Sequence, residues 1–389
     1  MARLWNLIKQ KILNENGILS IGFSDIVGSG ISAIFWLYIA SVIDPGEYGE
    51  IHYFLGIAGM AQIFSMIGNA HVLTVYSAKK EKIQSTLFIL SIIPTIISSI
   101  IIIVILSRID SALLVFGYVI FESVNSVLLG RKYYRRYAKM ILIQKSLTII
   151  LGISFFYIFG ASGIIFALVL TFIPYFTIFI KEFQQTKIDF SLLKEKKNFI
   201  INNYLMTISG SFGGQIDKII LAPLLGFTLL GNYSLALQIF TILVIFSSII
   251  FKFLLPQDAS GISNKKIKKI TILISIVISI IGITIVPKII PVFFTKFIGT
   301  IDAISIMSFA VVPETITMLY MSKMLGQEKS RFILIAKLIS LIIIVIGFIL
   351  VGPIYGIIGL ATILVIASVS QTGFLVISDK ISKGGKNVR

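Results

Sequence analysis

From Ile270 to Ile285 the chain carries only Ile, Leu, Val, Ser, Thr and Gly, and stretches of this kind recur through all 389 residues. A helix that crosses the hydrocarbon core of a bilayer needs about 20 apolar residues. In lipid every backbone N–H and C=O must also be satisfied inside its own segment, which selects the α-helix. A water-soluble core cannot absorb a dozen such stretches. Charged residues make up 13% of the chain, against about 25% in soluble domains. The sequence therefore predicts an all-α integral membrane protein.

Twelve spans are expected, near residues 17–43, 51–71, 84–106, 111–129, 140–159, 162–180, 198–222, 231–255, 269–286, 301–322, 332–351 and 356–377. The segment 287–299 reads as a loop or an interfacial piece. Lys and Arg test the count. With the N-terminus in the cytoplasm, 27 of the 34 basic residues fall in inner segments and three (Arg108, Lys288, Lys296) in outer ones. That alternation is the positive-inside pattern of a plasma-membrane protein with both termini cytoplasmic. It also absorbs the net charge of +17 without calling on nucleic acid. Residues 1–13 alternate basic and apolar side chains, as an interfacial amphipathic helix would, and no cleavable signal peptide is evident.

Several chemistries are excluded. There is no cysteine, so thiolate metal sites and disulfides are impossible, and two separated histidines (His52, His71) do not make a zinc cage. No segment has the Gly-x-x-x-x-Gly-Lys-Ser/Thr form of a phosphate-binding loop, and no loop is long enough for a catalytic domain. No cofactor is called for. The expectation is a transporter and not an enzyme.

The two halves resemble each other. At an offset of 192, Lys139 falls on Arg331, Lys145 on Lys337, Glu122 on Glu314 and Gly160 on Gly352. Nearer the start of each half an offset of 182 places Ala40 on Ala222, Gly49 on Gly231 and residues 63–65 on 245–247. An even number of spans per half means both halves share one orientation, a parallel repeat. The expected organisation is a six-helix lobe over 1–183, a cytoplasmic linker over 184–197 and a second six-helix lobe over 198–389.

Fragments along the chain carry a resemblance: Pro45-Gly46-Glu47-Tyr48-Gly49, Asp217 with Gly226, Gly231-Asn232-Tyr233, Pro256, and the glycine-bearing turns at 160–163 and 352–356. With twelve spans in two parallel lobes, the chain resembles oligosaccharide flippases, the polysaccharide-export branch of the multidrug/oligosaccharidyl-lipid/polysaccharide exporter superfamily. The resemblance implies movement of a polyprenyl-linked oligosaccharide across the plasma membrane by alternating access, in cell-surface polysaccharide biosynthesis. A drug or cation exporter of the same superfamily is the alternative, and a membrane-embedded polysaccharide polymerase a more distant one. Expected partners are the lipid-linked substrate, membrane lipids, and H+ or Na+ as coupling ion.

Charges inside spans are rare and mark functional candidates. Glu122 with Lys145, and Glu314 with Lys337, are placed so that neighbouring antiparallel helices can pair them. Such pairs either lock each hairpin or leave the lysines to attract a pyrophosphate. Asp217 and Lys218 are adjacent, hence about 100° apart on a helix and not expected to pair directly. Asp25, with no partner nearby in sequence, is the candidate for ion coupling. Pro313 frees the carbonyl of Phe309, which makes it either a hinge for rocking or a tolerated kink.

Overall fold

The computed structural model describes residues 17–68, 70–211, 215–259, 264–327 and 329–384, and their regular structure is helical throughout. The expected interfacial helix at 1–13 lies outside the described residues. Among the described residues, eight helices are long and apolar enough to cross a membrane. They are α1 (Gly17–Val42), α4 (Gln84–Leu106), α5 (Ile109–Gly130), α6 (Tyr134–Phe159), α11 (Phe227–Ala259), α12 (Lys265–Thr284), the stretch from Thr300 to Gly326, and α16 (Ser330–Gly384). The last holds two passages, because Gly356 turns the backbone at φ 54°, ψ −138°.

Two further passages are broken. Helices α2 (Pro45–Ser65) and α3 (Ala70–Ala78) are bent by 48°, and α7 (Gly163–Leu170) and α8 (Ile173–Gln184) by 40°. Helices α9 (Ser191–Ser211) and α10 (Ile216–Leu225) make up the described part of the seventh passage, residues 212–214 lying outside the described residues. About twelve passages result, but the second and sixth are not the continuous spans expected. Proline explains two starts: Pro45 opens α2 and Pro174 sits in the first turn of α8, where a missing N–H costs nothing. The segment from residue 286 is a short helix, α13 (Val286–Phe293). Near Pro313 the stretch divides into α14 (Thr300–Met307), a 3-10 turn (Ser308–Ala310) and α15 (Val311–Gly326). The break falls where the proline removes its hydrogen bond.

Each lipid-spanning helix sorts its residues by size and polarity. On α4, Ser91, Thr95 and Ser99 are buried, while Ile93, Ile97, Ile100 and Val104 are exposed. Lipid tails are as apolar as isoleucine, so the bulky residues gain nothing by turning inward; small hydroxyl residues let helices approach and hydrogen-bond. Ser99 donates to the carbonyl of Ala112 at 3.0 Å. Helix α12 repeats the stripe 180 residues later: Thr271, Ser275 and Ser279 are buried, and Ser279 donates to the carbonyl of Ser308 at 2.7 Å. The third passage of each half is thus built to one plan.

The described residues form two compact units: 17–36 with Phe54–Ser211, and Leu37–Tyr53 with residues from 215 onward. Neither boundary coincides with the linker at 184–197. That segment is tied to the first unit, where the Ser85 N–H donates to Thr186 Oγ1 (3.0 Å) and the Asp189 N–H donates to Thr86 Oγ1 (2.9 Å). The core of this unit gathers Leu73, Phe88, Val124, Tyr175 and Phe179, with Phe88 and Phe179 stacked at 4.5 Å.

In the second unit the starts of α2 and α11 cross at two glycines. A Cβ on Gly49 would overlap the carbonyl oxygen of Phe227, and one on Gly231 the carbonyl oxygen of Pro45. Position 227 is 45 plus the offset of 182, so the contact is reciprocal. Tyr48 and Tyr233, beside these glycines, are fully buried.

Candidate functional site

Three groups of polar residues sit within the spans. In the first unit Asp25, on α1, accepts a hydrogen bond from the Tyr137 hydroxyl on α6 at 3.2 Å. Tyr137 also feels the charge of Glu122 on α5. One helical turn from Glu122, Asn125 lies buried beside Tyr175 of α8. Four passages therefore contribute to one polar cluster: Asp25, Glu122, Asn125, Tyr137 and Tyr175. Lys145 borders it. Its aliphatic stem lies 3.3 Å from where a Cβ on Gly28 would be, one turn along α1 from Asp25.

Glu122 and Lys145 do not meet. Among the described residues neither makes an ion pair. The reason is where α6 begins. It starts at Tyr134 and not near 140, which puts Lys145 about 16 Å along its helix instead of about 9 Å. The acid that does pair across this region was not foreseen. Arg131, just after α5, bridges Glu182 at the end of α8 at 2.8 Å and donates to Gln185 at 2.9 Å.

The second unit holds two groups. Asp217, buried at 7% exposure in the first turn of α10, accepts the backbone N–H of Lys218 at 2.8 Å. The Lys218 ammonium reaches Gln215 at 3.2 Å. The adjacent acid and base form no ion pair among the described residues, as their helical angle requires. His52 lies within the field of Lys218, and Tyr233 within that of Asp217; the His52 and Tyr48 rings meet at 4.4 Å, tilted by 56°. The other group is Glu314 on α15. It accepts from Ser368 at 3.4 Å and feels Lys337, which is exposed and stops short of an ion pair. Beside it Thr372 donates to the carbonyl of Pro313 at 2.8 Å.

The sequence-nominated residues thus fall into separate places: Asp25, Glu122 and Lys145 around one cluster, Asp217 and Lys218 in a second, Glu314 and Lys337 in a third. Tyr137 and Tyr175 escaped notice because tyrosine near a basic loop reads as an interfacial anchor. Their signal was present in the repeat of Tyr133, Tyr134 and Tyr137 before the span, where only the last turns inward to an acid. No group of His, Asp and Glu able to hold a metal ion occurs among the described residues.

No family model and no curated protein matches the chain. Solved structures do. An inward-facing multidrug resistance MATE family transporter of the MOP superfamily superposes with a TM-score of 0.70 at 17% identity, over 95% of this chain and 98% of that one. An outward-facing one gives 0.63 at 16% identity, over 95% and 96%, and a MATE structure in a bent conformation gives 0.60 at 15%, over 96% of each. None of these singles out the polysaccharide-export branch suggested by the sequence fragments. The chain has the fold of the MATE transporters of the MOP superfamily.

Proposed function

We propose that this protein is a cation-coupled transporter of the plasma membrane, not an enzyme, and that it works by alternating access. The fold supports this reading most directly, since nearly the whole chain superposes on both inward-facing and outward-facing MATE transporters. Asp25 is the proposed coupling site, for H+ or Na+. A carboxylate within a span is expensive unless it has work and partners, and the Tyr137 hydroxyl supports its charged form. Binding of a cation at Asp25 would neutralise that charge and weaken its hold on α6.

For the cargo, the neighbours described as multidrug transporters favour export of amphiphilic organic solutes. A second reading, a flippase for polyprenyl-linked oligosaccharide, rests on a specific observation. Lys145 lies within a span with no acidic ion-pair partner among the described residues, which suits an anionic headgroup better than a cation. Ethidium efflux from proteoliposomes under an imposed pH or Na+ gradient tests both. Under the first reading the wild type moves ethidium, Asp25→Asn falls to background, and Tyr137→Phe retains about a tenth of the rate. Gradient-driven efflux untouched by Asp25→Asn defeats the coupling role. No ethidium movement, with loss of cell-surface glycan in Lys145→Met, favours the flippase.

A further inference from the structure

We infer that the first unit carries a binding site for a phosphate group on the face of its basic loops, separate from the clusters within the spans. A cavity of about 490 Å³ opens there between two turns, the one after α3 and the one after α5. Lys80, Lys82, Arg131 and Lys132 line it, together with Ser77 and Gln84. Its acids are already engaged. Glu81 is paired with Lys196, whose ammonium that carboxylate holds above the ordinary lysine range, and Arg131 is paired with Glu182. Lys80, Lys82 and Lys132 make no ion pair among the described residues. Three uncompensated ammonium groups around one cavity leave it strongly positive.

The backbone gives an independent reason to read this as a built site. Both turns are Schellman motifs. After α3 the N–H of Glu81 reaches the carbonyl of Tyr76 at 3.0 Å and that of Lys80 the carbonyl of Ser77 at 3.2 Å. After α5 the N–H of Tyr133 reaches Leu128 at 2.8 Å and that of Lys132 reaches Leu129 at 3.0 Å. The left-handed position of such a motif is ordinarily glycine. Here it is Lys80 (φ 57°) in one turn and Lys132 (φ 62°) in the other, although the chain places glycine at positive φ at 160, 226 and 356. The favourable meeting of a lysine with a helix C-terminus offsets part of that strain, but lysines just outside the motif would serve equally. Ser107 (φ 54°) is left-handed elsewhere, but two such lysines on the two turns that share a cavity fit the pattern of strain kept for a ligand. Two lining residues also bury polar atoms without hydrogen-bond partners, Ser77 Oγ and Gln84 Oε1. The first turn of α4, opening at Gln84, adds the partial positive charge of a helix N-terminus.

A phosphate mono- or diester matches this set: several ammonium groups and a guanidinium for its oxygens, a serine hydroxyl as neutral donor, and an amide oxygen for a neighbouring hydroxyl of the ligand. It could come from an anionic phospholipid of the adjoining leaflet or from a soluble phosphate ester. The test uses the full chain in phosphatidylcholine nanodiscs, with thermal melting as readout. Phosphatidylglycerol is titrated into the discs in one arm, and glycerol phosphate into the buffer in the other. In the absence of either, Lys80→Gly with Lys132→Gly should melt no lower than wild type, because glycine relieves both turns. The wild type should be stabilised by the ligand, with half-saturation raised about tenfold in the double variant. A response confined to phosphatidylglycerol identifies a lipid headgroup, and a response to glycerol phosphate a soluble ester. The proposal is overturned if wild type and the glycine variant respond alike in both arms. It is also overturned if Lys187→Gln with Lys194→Gln, which removes equal charge from exposed positions, weakens the response as much.

Discussion

Gly49 and Gly231 are the residues with the least room to change. Each would drive a β-carbon into a backbone carbonyl of the other helix, and backbone cannot rotate away as a side chain can. Gly49→Ala should lower stability by on the order of 3 kcal/mol, read as a fall in melting temperature in detergent. Gly46→Ala, three residues earlier and 3.5 Å from Thr228 at the nearest, should change it little. Asp189 offers a pH test at the same scale. Ser191 donates to its carboxylate through both N–H (2.9 Å) and hydroxyl (2.6 Å), which holds the acid below the usual aspartate range. A depressed folded value means its contribution is present above the ordinary value of about 4. It is lost as pH falls from there through the folded value. Hydrogen exchange at residues 191–194 should therefore accelerate below about pH 4, and Asp189→Asn should show no such step.

At the scale of elements, the two Glu–Lys arrangements that look alike in sequence are not alike in space. Lys337 lies within the field of Glu314, whereas Lys145 and Glu122 make no ion pair among the described residues. A double-mutant cycle on Glu122→Gln and Lys145→Met should be additive within about 0.5 kcal/mol, and the cycle on Glu314→Gln and Lys337→Met should not. Apolar run length and charge alternation made the existence and order of the passages legible from residues such as 270–285. The breaks were less legible. Residues 66–68 and 171–172 interrupt passages whose flanks stay largely apolar, and the only marks in composition are Gly68 at the first break and Pro174 just after the second. The tyrosine–acid contact was hidden for a related reason. It depends on the rotation of α6 and on a start six residues earlier than the apolar stretch, and apolar character fixes neither.

For the whole molecule, the orientation expected from the basic loops can be measured without removing native thiols, because the chain has none. Ser162→Cys should react with an impermeant maleimide added to intact cells, and Arg135→Cys only after the membrane is opened. Reaction of Arg135→Cys from outside would invert the assignment, and with it the leaflet from which the basic cavity draws a lipid.

The crossing of α2 and α11 reaches further back than stability. Position 49 meets 227 while 231 meets 45, so exchanging the two sequence copies leaves the contact unchanged. That is the defining property of an isologous contact, the kind two identical subunits make about a two-fold axis. A polypeptide of half this length, carrying one copy of the glycine, could have made the same contact as a homodimer. Duplication and fusion would then have inherited a working joint instead of having to invent one. In such a dimer one mutation alters both sides at once. In the fused chain the sides can drift apart, while at Gly49 and Gly231 the close backbone approach leaves no room for a Cβ on either side.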